Sequence, residues 1–261
     1  MSAAPPLWPA GVRTLFTERA GGCSPAPFDS LNLGDHVGDD PACVASNRGT
    51  LARRMGARPV FLQQVHGCAV LQLTPDTPDG AVADACWTDG PGLACTVMVA
   101  DCLPILLASE GCGSVAAVHA GWRGLAGQGG QGVLEALWVR WPAAATTAGR
   151  AGLHAWLGPC IGPQAFEVGA EVRQAFFAVD PEAAGAFQPT AAGPLGEPKY
   201  LADLALLARQ RLRAAGVTRL FGNDSSPGWC TVSQPGRFFS HRRDAARLGS
   251  TGRMAAGIWR V

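Results

Sequence analysis

Three short segments place a side chain that can ligate a metal inside an otherwise apolar stretch. They are QQVHG around His66, ADCLP around Cys102 and VHAGWRG around His119. Each lies where a strand-like run ends in a turn, which is where rigid scaffolds often present functional groups. Two imidazoles and one thiolate form a donor set that zinc prefers. Three protein ligands leave a fourth tetrahedral position open, as is typical of a catalytic zinc site.

The residue types alone leave this interpretation open. The three positions form no compact metal motif, and His36, His154 and His241 compete for the same role. A single histidine at the end of a strand is more often a hydrogen-bonded structural residue than a ligand. A single cysteine is more often a packing residue.

The pattern of apolar residues predicts an α+β fold, a single compact domain of mixed β-sheets flanked by helices. Strand-like and helical periods occur without regular β-α-β alternation. Segments 142–152 and 190–198 are expected to be surface loops, and neither is flanked by a change in composition, so we expect one domain over residues 1–261. The expected strands are 60–65, 94–100, 104–108, 114–119 and 154–157, and the expected helices are 40–55, 130–141, 168–178 and 201–215.

Composition and charge exclude several classes of function. With 48% hydrophobic and 16% charged residues, the chain can bury a sizeable core. Its formal net charge of +1 argues against nucleic acid as the main partner. No apolar run reaches the roughly 18 residues of a membrane span, and Met1–Pro9 lacks the features of a secretory signal. We therefore expect a cytoplasmic protein in which most of the nine cysteines are small buried hydrophobes.

Five ordered blocks resemble the signature segments of one bacterial family. They are QQVHG, VADCLPILLAS, HAGWRGLAGQGG, LGPCIGPQAFEVG and FFSHRRD. The resemblance extends from about Thr17 to the C-terminal GRMAAGIW, nearly the whole chain. The family is that of the laccase-domain or polyphenol oxidase proteins, also called purine nucleoside phosphorylases and peptidoglycan editing factors. Its compact α+β fold agrees with the pattern described above.

The resemblance implies that His66, Cys102 and His119 are the zinc ligands. It also implies phosphorolysis of adenosine, inosine, guanosine and methylthioadenosine, and hydrolytic deamination of adenosine, so that purine nucleosides and phosphate are the expected partners. Zinc is expected rather than copper, because a multicopper oxidase needs roughly ten histidines and this chain has five. We expect a monomer or a small homo-oligomer.

Phosphorolysis requires groups that hold phosphate, and the guanidinium fork suits that anion. Asp101 is expected either to orient a zinc-bound histidine or to cap its own turn. A solvated surface arginine or a structural ion pair is the alternative for each cationic candidate. The candidate phosphate- or substrate-binding residues are Asn47, Arg48, Arg123, Arg242 and Arg243.

The chain departs from the family pattern at two positions. His241 replaces the tyrosine of the last block, and Ser46 replaces the glutamate that precedes Asn47 and Arg48. The glycines of HAGWRGLAG are expected to let the backbone turn sharply rather than to bind phosphate, since neither a GxGxxG spacing nor a P-loop lysine accompanies them. Cys160 is expected to be a buried structural residue.

Three other functions remain open at this point. The first is a polyphenol oxidase. The second is a cysteine hydrolase with Cys102 as nucleophile and His66 or His119 as base. The third is a peptidoglycan-editing or partner-binding protein.

Overall fold

The computed structural model describes residues 8–111 and 113–261. Most of the Met1–Pro9 segment and Cys112 therefore lie outside the described residues, and with them the sequence-based expectations for those positions. The helices are α1 Pro41–Met55, α2 Trp122–Ala126, α3 Val133–Arg140, α4 Thr147–Ala151, α5 Ala170–Phe177, α6 Leu204–Ala214 and α7 His241–Leu248. The strands are β1 Val12–Phe16, β2 Arg58–Phe61, β3 Val70–Gln72, β4 Ala85–Thr88, β5 Leu93–Val99, β6 Leu103–Ser109, β7 Val115–Ala120, β8 Leu153–Leu157, β9 Glu167–Gly169, β10 Phe187–Pro189, β11 Lys199–Ala202, β12 Arg219–Gly222 and β13 Met254–Arg260.

The strands form two large mixed sheets and one small sheet. The six-stranded sheet has the order β12-β8-β6-β7-β4-β3, and the four-stranded sheet has the order β1-β13-β5-β2. Each large sheet contains both parallel and antiparallel pairs: β2 runs parallel to β5, whereas β13 runs antiparallel to it. The small sheet, β10-β11-β9, is antiparallel. Mixed sheets combined with helices confirm the predicted α+β class.

The two large sheets pack face to face with helices outside them. Side chains of β5 and β13 meet those of β6 and β7 in a shared apolar layer that includes Val97, Ile258, Leu106 and Ala117. The opposite face of the six-stranded sheet packs against α3, α5 and α6, and α1 covers the outer face of the four-stranded sheet. Strands β5, β6 and β7 are therefore buried on both faces, which explains why their sequences are continuous apolar runs rather than alternating ones.

The apolar runs predicted the central strands and missed the peripheral ones. Strands β5, β6, β7 and β8 are confirmed to within one or two residues. The expected strand 60–65 instead ends at Phe61, and the following residues turn toward the candidate site. The pairing of β13 with β1 and β5 joins the end of the chain to its beginning, a long-range contact that no local pattern reveals.

The predicted helices exist, but their starts lie further along the chain. Helix α6 begins at Leu204, because residues 199–202 pair with β9 and β10 and Asp203 caps the helix by accepting from Leu206 N. Helix α5 begins at Ala170 because the residues before it form β9. Segment 142–152 is not a plain loop, since it contains α4 and buries Ala143 and Ala144. Among the described residues, no helix is long and apolar enough to cross a membrane.

Asn47, on α1, holds the long loop between β1 and α1. Its side chain is buried, with 1% exposure. Its Oδ1 accepts from Cys23 N at 3.0 Å, and its Nδ2 donates to Ser24 Oγ, Ser30 O and Asn32 O. Every hydrogen-bonding site of the amide is thus used inside the protein, so Asn47 organises the fold rather than facing a ligand.

We predict that Asn47→Ala lowers the free energy of unfolding by about 2–4 kcal/mol, because several buried polar groups lose their partner. The midpoint of thermal unfolding should fall by roughly 5–15 °C. The matched control Ser46→Ala changes an exposed neighbour on the same helix and should shift it by less than about 2 °C. Equal midpoints for the two variants would contradict this role of Asn47.

Candidate metal centre

His66, Cys102 and His119 converge from three different segments. His66 lies in the turn after β2, Cys102 in the turn between β5 and β6, and His119 near the end of β7. Their ligand atoms all lie within 4.8 Å of one another. His66 Nε2 is 3.5 Å from Cys102 Sγ, and the two imidazole rings lie 4.8 Å apart at 73°. The structure therefore brings together the three side chains expected to bind a metal.

Asp84 positions two of the three candidate ligands. Its side chain is fully buried and precedes β4. The carboxylate accepts from the backbone N–H groups of Val65, His66 and Gly67 at 3.2, 2.9 and 2.7 Å. It also bonds His119 Nδ1 at 2.8 Å. A histidine held at Nδ1 by a carboxylate presents Nε2 outward, which is the usual arrangement around a metal-ligating imidazole.

The backbone of the site adopts unusual conformations. His66 has φ +60° and Asp101 has φ +94°, in the left-handed region that non-glycine residues rarely occupy. Such conformations persist where the surrounding structure enforces them, often at functional sites. At His66 the enforcing contacts are the hydrogen bonds from the turn to Asp84.

Gly121 lets the backbone approach the ligands closely. A Cβ at this position would lie 2.9 Å from His66 Cδ2 and 3.0 Å from Cys102 Sγ, closer than real Cβ contacts. A Cβ on Gly124 would lie 2.9 Å from Gly67 O. Gly121 and Gly124 thus allow close packing beneath the candidate ligands. The sequence-based expectation was a sharp turn of the backbone, and of the glycines in HAGWRGLAG, Gly127 has the positive φ, +64°, typical of such a turn.

The charges of the site couple the thiol and the imidazole. Burial alone would raise the pKa of Cys102, but the charge and hydrogen bond of His119, together with His66, lower it to about 6. Burial alone would lower the pKa of His119, but the Cys102 thiolate and Asp84 raise it to about 9. Burial would likewise raise the pKa of Asp84, yet its bonds to His119 and to the turn hold it below the ordinary value. The site therefore stabilises a thiolate, which is the form of cysteine that binds metals.

The donor set fits a zinc ion, and one pair of donors already has the spacing that zinc requires. With bonds of about 2.3 Å to sulfur and 2.1 Å to nitrogen, tetrahedral zinc places those two donors about 3.6 Å apart. The 3.5 Å between Cys102 Sγ and His66 Nε2 agrees with that distance. In the part of the chain that the structure describes, this is the one group of three or more such side chains close enough to share an ion.

A cavity of about 450 Å³ opens over the three ligands, within the range of small-molecule sites. Aromatic rings, cations and apolar side chains all contribute to its wall. Its lining residues are His36, Gln64, His66, Met98, Val99, Ala100, Asp101, Cys102, His119, Trp122, Arg123, Ile161, Phe166, Leu204, His241, Arg242 and Arg253.

Two of the arginines expected to bind phosphate lie at this cavity. Arg123 is exposed and packs over the Trp122 ring, with its guanidinium carbon 4.5 Å from the ring centre. Arg242 lies 5.8 Å from the centre of the Phe166 ring and donates to Glu167 O. Both also line a smaller neighbouring cavity of about 220 Å³. The two guanidinium groups are therefore available to a bound anion.

Arg243 lies outside the cavity wall. Its Nε and Nη2 donate to Asp244, its Nη1 donates to Thr231 O and Val232 O, and Nη2 also donates to Phe238 O. All five N–H groups of a guanidinium are thereby used inside the protein. The alternative of a structural ion pair therefore describes Arg243 better than a phosphate ligand does.

Arg48 also lies outside the lining of the cavity. Its guanidinium packs 4.1 Å from the centre of the Phe61 ring, donates to Leu33 O at 2.9 Å and pairs with Asp35 at 3.2 Å. Asp35 in turn contacts His36 at 3.5 Å, and His36 does line the cavity. Arg48 thus contacts the cavity wall indirectly, through Asp35 and His36.

The carboxylate that orients a ligand histidine is that of Asp84, not Asp101. Asp101 accepts from Thr231 Oγ1 and from the backbone N of Arg242 at 2.6 Å. It therefore ties the start of α7 to the turn that carries the thiol. No local pattern distinguishes Asp84 from other aspartates, because its link to His119 depends on the pairing of β4 with β7.

Sequence reasoning also missed Arg253 and Gln64. Arg253 lies in the GRMAAGIW segment, the last part of the chain that resembles the family. Its position in that segment was the signal that could have identified it. Its Nη1 donates to Thr251 O and Gly252 O, its pKa is lowered by burial, and it lines the cavity. Gln64 bonds both the N and the O of Met98, clamping the QQVHG turn to β5.

The competing histidines take other positions. His36 and His241 line the cavity wall without joining the group of metal donors. Burial, followed by the charge of Arg253, lowers the pKa of His36 despite the neighbouring Asp35. His154 lies on β8, where its Nε2 is 3.1 Å from Arg219. Cys160 is buried, with 1% exposure, as expected.

We predict that Asp84→Asn weakens zinc binding by about 10–100-fold, because His119 loses the carboxylate that orients it and raises its basicity. The control Asp101→Asn makes the same change in shape and charge as Asp84→Asn. It alters contacts that do not involve His66 or His119, so zinc affinity should change by less than about 3-fold. Competition with a chromophoric chelator measures both constants. A larger loss for Asp101→Asn would reverse the assignment of the orienting carboxylate.

Comparison with known proteins agrees with this architecture. A purine nucleoside phosphorylase of Pseudomonas aeruginosa is 48% identical over 258 residues, covering 97% of this chain and 96% of that protein. The purine nucleoside phosphorylase YfiH of Escherichia coli is 46% identical and covers 98% of each chain. The crystal structure of Neisseria meningitidis protein NMB0706 superposes with a TM-score of 0.84 at 41% identity, covering 100% of this chain and 98% of that one.

The family profile described as "multi-copper polyphenol oxidoreductase laccase" matches residues 13–261. This range includes the three converging ligands and Asp84. The chain therefore belongs to that family of laccase-like proteins, as the five ordered sequence blocks suggested.

Proposed function

We propose that this protein is a zinc-dependent purine nucleoside phosphorylase that also deaminates adenosine. The observation that carries the proposal is a cavity in which two imidazoles and a thiolate lie beside aromatic rings and arginines. The names of relatives that share 46–48% of their residues with this chain support the phosphorylase assignment.

The cavity offers separate surfaces for the parts of a nucleoside and for phosphate. Trp122 and Phe166 provide aromatic rings on which the flat face of a purine can stack. Arg123, Arg242 and Arg253 provide the guanidinium groups suited to phosphate. The substrates expected on this basis are adenosine, inosine, guanosine and methylthioadenosine.

Phosphorolysis breaks the bond between C1′ and N9 and forms a bond from C1′ to a phosphate oxygen. The arginines hold the phosphate and direct one oxygen at C1′, which converts an encounter in solution into a reaction within a bound complex. The departing purine takes up a proton, and His241 is the imidazole on the wall, outside the metal group, that can supply it. His36 suits this role less, because burial and Arg253 lower its pKa. Deamination instead replaces the C6 amino group by oxygen from water and releases ammonia, and it needs no phosphate.

The three ligand side chains would hold zinc at the floor of the cavity, and the ion would supply a Lewis acid there. Copper oxidase chemistry fits the site less well. A multicopper site requires several clusters of imidazoles. Of the chain's five histidines, two belong to the metal group, while His36, His154 and His241 lie elsewhere.

A cysteine hydrolase is the second candidate, favoured by one observation. The Cys102 thiolate bonds His119, and the Asp84 carboxylate orients His119 from the other side. This is the order of groups in a Cys-His-Asp triad. His66 argues for the metal instead. Its Nε2 lies 3.5 Å from the same sulfur, and a triad has no use for a second imidazole there.

We predict about one zinc and little copper per purified chain, measured by elemental analysis. The His66→Ala variant should lose most of the zinc, and its phosphorolysis and deamination activities should each fall by at least about 100-fold. Cys102→Ala and His119→Ala should do the same, with circular dichroism close to that of the parent protein, because the sheets form the scaffold of the site.

His66→Ala also separates the two candidates, since it leaves Cys102, His119 and Asp84 in place. A variant that retained hydrolysis of an ester or amide substrate and reacted as a nucleophilic thiol would support the hydrolase. A stoichiometric copper load with intense blue absorption would instead revive the oxidase.

We further predict that Arg253→Met lowers phosphorolysis of adenosine about 30- to 150-fold, the loss of one charge-assisted contact to phosphate, or about 2–3 kcal/mol. Deamination in the absence of phosphate should fall by less than about 5-fold, because that reaction has no phosphate to hold. Arg123→Met and Arg242→Met should give the same pattern with smaller losses, because both side chains are exposed to solvent.

Arg247→Met is the matched control, because that exposed side chain lies outside the cavity wall and makes only a 3.9 Å ion pair with Asp244. Zinc content is measured for every variant. Equal losses of phosphorolysis and deamination in Arg253→Met, with zinc retained, would mean that Arg253 holds the nucleoside rather than phosphate.

A further inference from the structure

Cys23 and Cys43 lie side by side at the surface, and neither lines the cavity over the metal centre. Cys23 lies in the loop between β1 and α1, and Cys43 lies in the first turn of α1. Each sulfur is 3.5 Å from the carbonyl oxygen of the other residue. We propose that Cys23 and Cys43 form a reversible intramolecular disulfide, which makes this surface a site of oxidation by peroxide or by low-molecular-weight disulfides.

The backbones of both cysteines are held in place for this bond. Cys23 N donates to Asn47 Oδ1 at 3.0 Å, and Asn47 is itself buried on α1. Cys43 belongs to the same helix, whose first turn is capped by Asp40 and begins at Pro41. Helix α1 therefore holds the backbone of both cysteines, Cys43 as part of the helix and Cys23 through its bond to Asn47.

The other described cysteines do not offer this combination of access and proximity. Cys86, Cys95, Cys160 and Cys230 are buried, and burial raises the pKa of Cys95 and Cys160 well above the ordinary value. Burial also raises the pKa of Cys68. Cys23 is instead exposed, with a second thiol within reach. The expectation that most cysteines are buried packing residues therefore fails for this pair.

The environment of the pair divides the roles of the two thiols. The hydrogen bond with Cys23, followed by burial, raises the pKa of Cys43 to about 11, so Cys43 remains a thiol at neutral pH. Cys23, the more exposed of the two, is then the sulfur that meets the oxidant. Thiols of this kind become sulfenic acids and condense with a neighbouring thiol.

The reaction with peroxide balances in two steps. The Cys23 thiolate attacks one oxygen of hydrogen peroxide, giving a sulfenic acid and hydroxide. The Cys43 sulfur then attacks the Cys23 sulfur and displaces the hydroxyl group, while the Cys43 proton and the hydroxyl group leave as water. In total, two thiols lose two electrons and two protons to one peroxide, and two water molecules form.

The disulfide would close a ring of about 20 residues, which reduces the freedom of the unfolded chain. The ring contains His36, which lines the cavity, and the loop that Asn47 organises. Oxidation would therefore fasten one wall of the cavity to α1. The proposal does not depend on which reaction the cavity catalyses.

The test uses the full-length, zinc-loaded protein treated with one equivalent of hydrogen peroxide or with oxidised glutathione. Free thiols are then alkylated, and peptides are mapped by mass spectrometry without reduction. We expect a linked peptide joining Cys23 to Cys43 in most chains, a mass lower by about 2 Da, and full reversal by dithiothreitol. Cys23→Ser and Cys43→Ser should each abolish the link, whereas the control Cys68→Ser should leave it unchanged.

Two results would overturn the proposal. One is the absence of the linked peptide from the oxidised wild-type protein, a readout that requires no variant to fold. The other is a stable glutathione adduct on Cys23 that Cys43 does not displace, because it would show that the second sulfur is out of reach.

Discussion

The buried carboxylate of Asp84 is the interaction on which the site depends. It accepts hydrogen bonds from three consecutive backbone N–H groups of the His66 turn and from the ring of His119. A carboxylate is costly to bury unless such donors surround it. Here the same bonds offset that cost. They hold His66 at a left-handed φ, and they turn the Nε2 of His119 toward the thiol.

The sheets make this arrangement possible. Asp84 precedes β4 and His119 lies near the end of β7, and the two strands are antiparallel neighbours, so the carboxylate and the imidazole meet across one strand pair. Cys102 arrives from the turn that links the four-stranded sheet to the six-stranded one, between β5 and β6. The layer shared by these sheets positions the turn, and Gly121 leaves the space that the ligands fill. The metal donors are therefore held by the core of the fold rather than by flexible loops.

The sequence predicted what local patterns encode. Doubly buried strands such as β5 and β6 are visible as apolar runs, and the three candidate ligands were predicted from the family blocks that surround them. Asp84 was missed, since its role arises from a strand pairing and not from its neighbours in the chain. Arg243 looked like a phosphate ligand because its motif is rich in arginine, but the structure uses all its donors internally. Arg253, which had no such motif, faces the cavity. Composition and motifs thus predicted the type of chemistry, whereas the direction of each guanidinium depended on long-range contacts.

We propose that one zinc ion is bound by His66, Cys102 and His119, with Asp84 behind them. X-ray absorption at the zinc edge of the purified protein identifies these ligands, because sulfur and nitrogen differ in distance and scattering. We expect one sulfur at about 2.3 Å and two imidazole nitrogens at about 2.0–2.1 Å, with a further light ligand in the open position. A spectrum with only nitrogen and oxygen ligands in the parent protein would contradict this zinc site. So would a copper edge of stoichiometric intensity in place of the zinc edge.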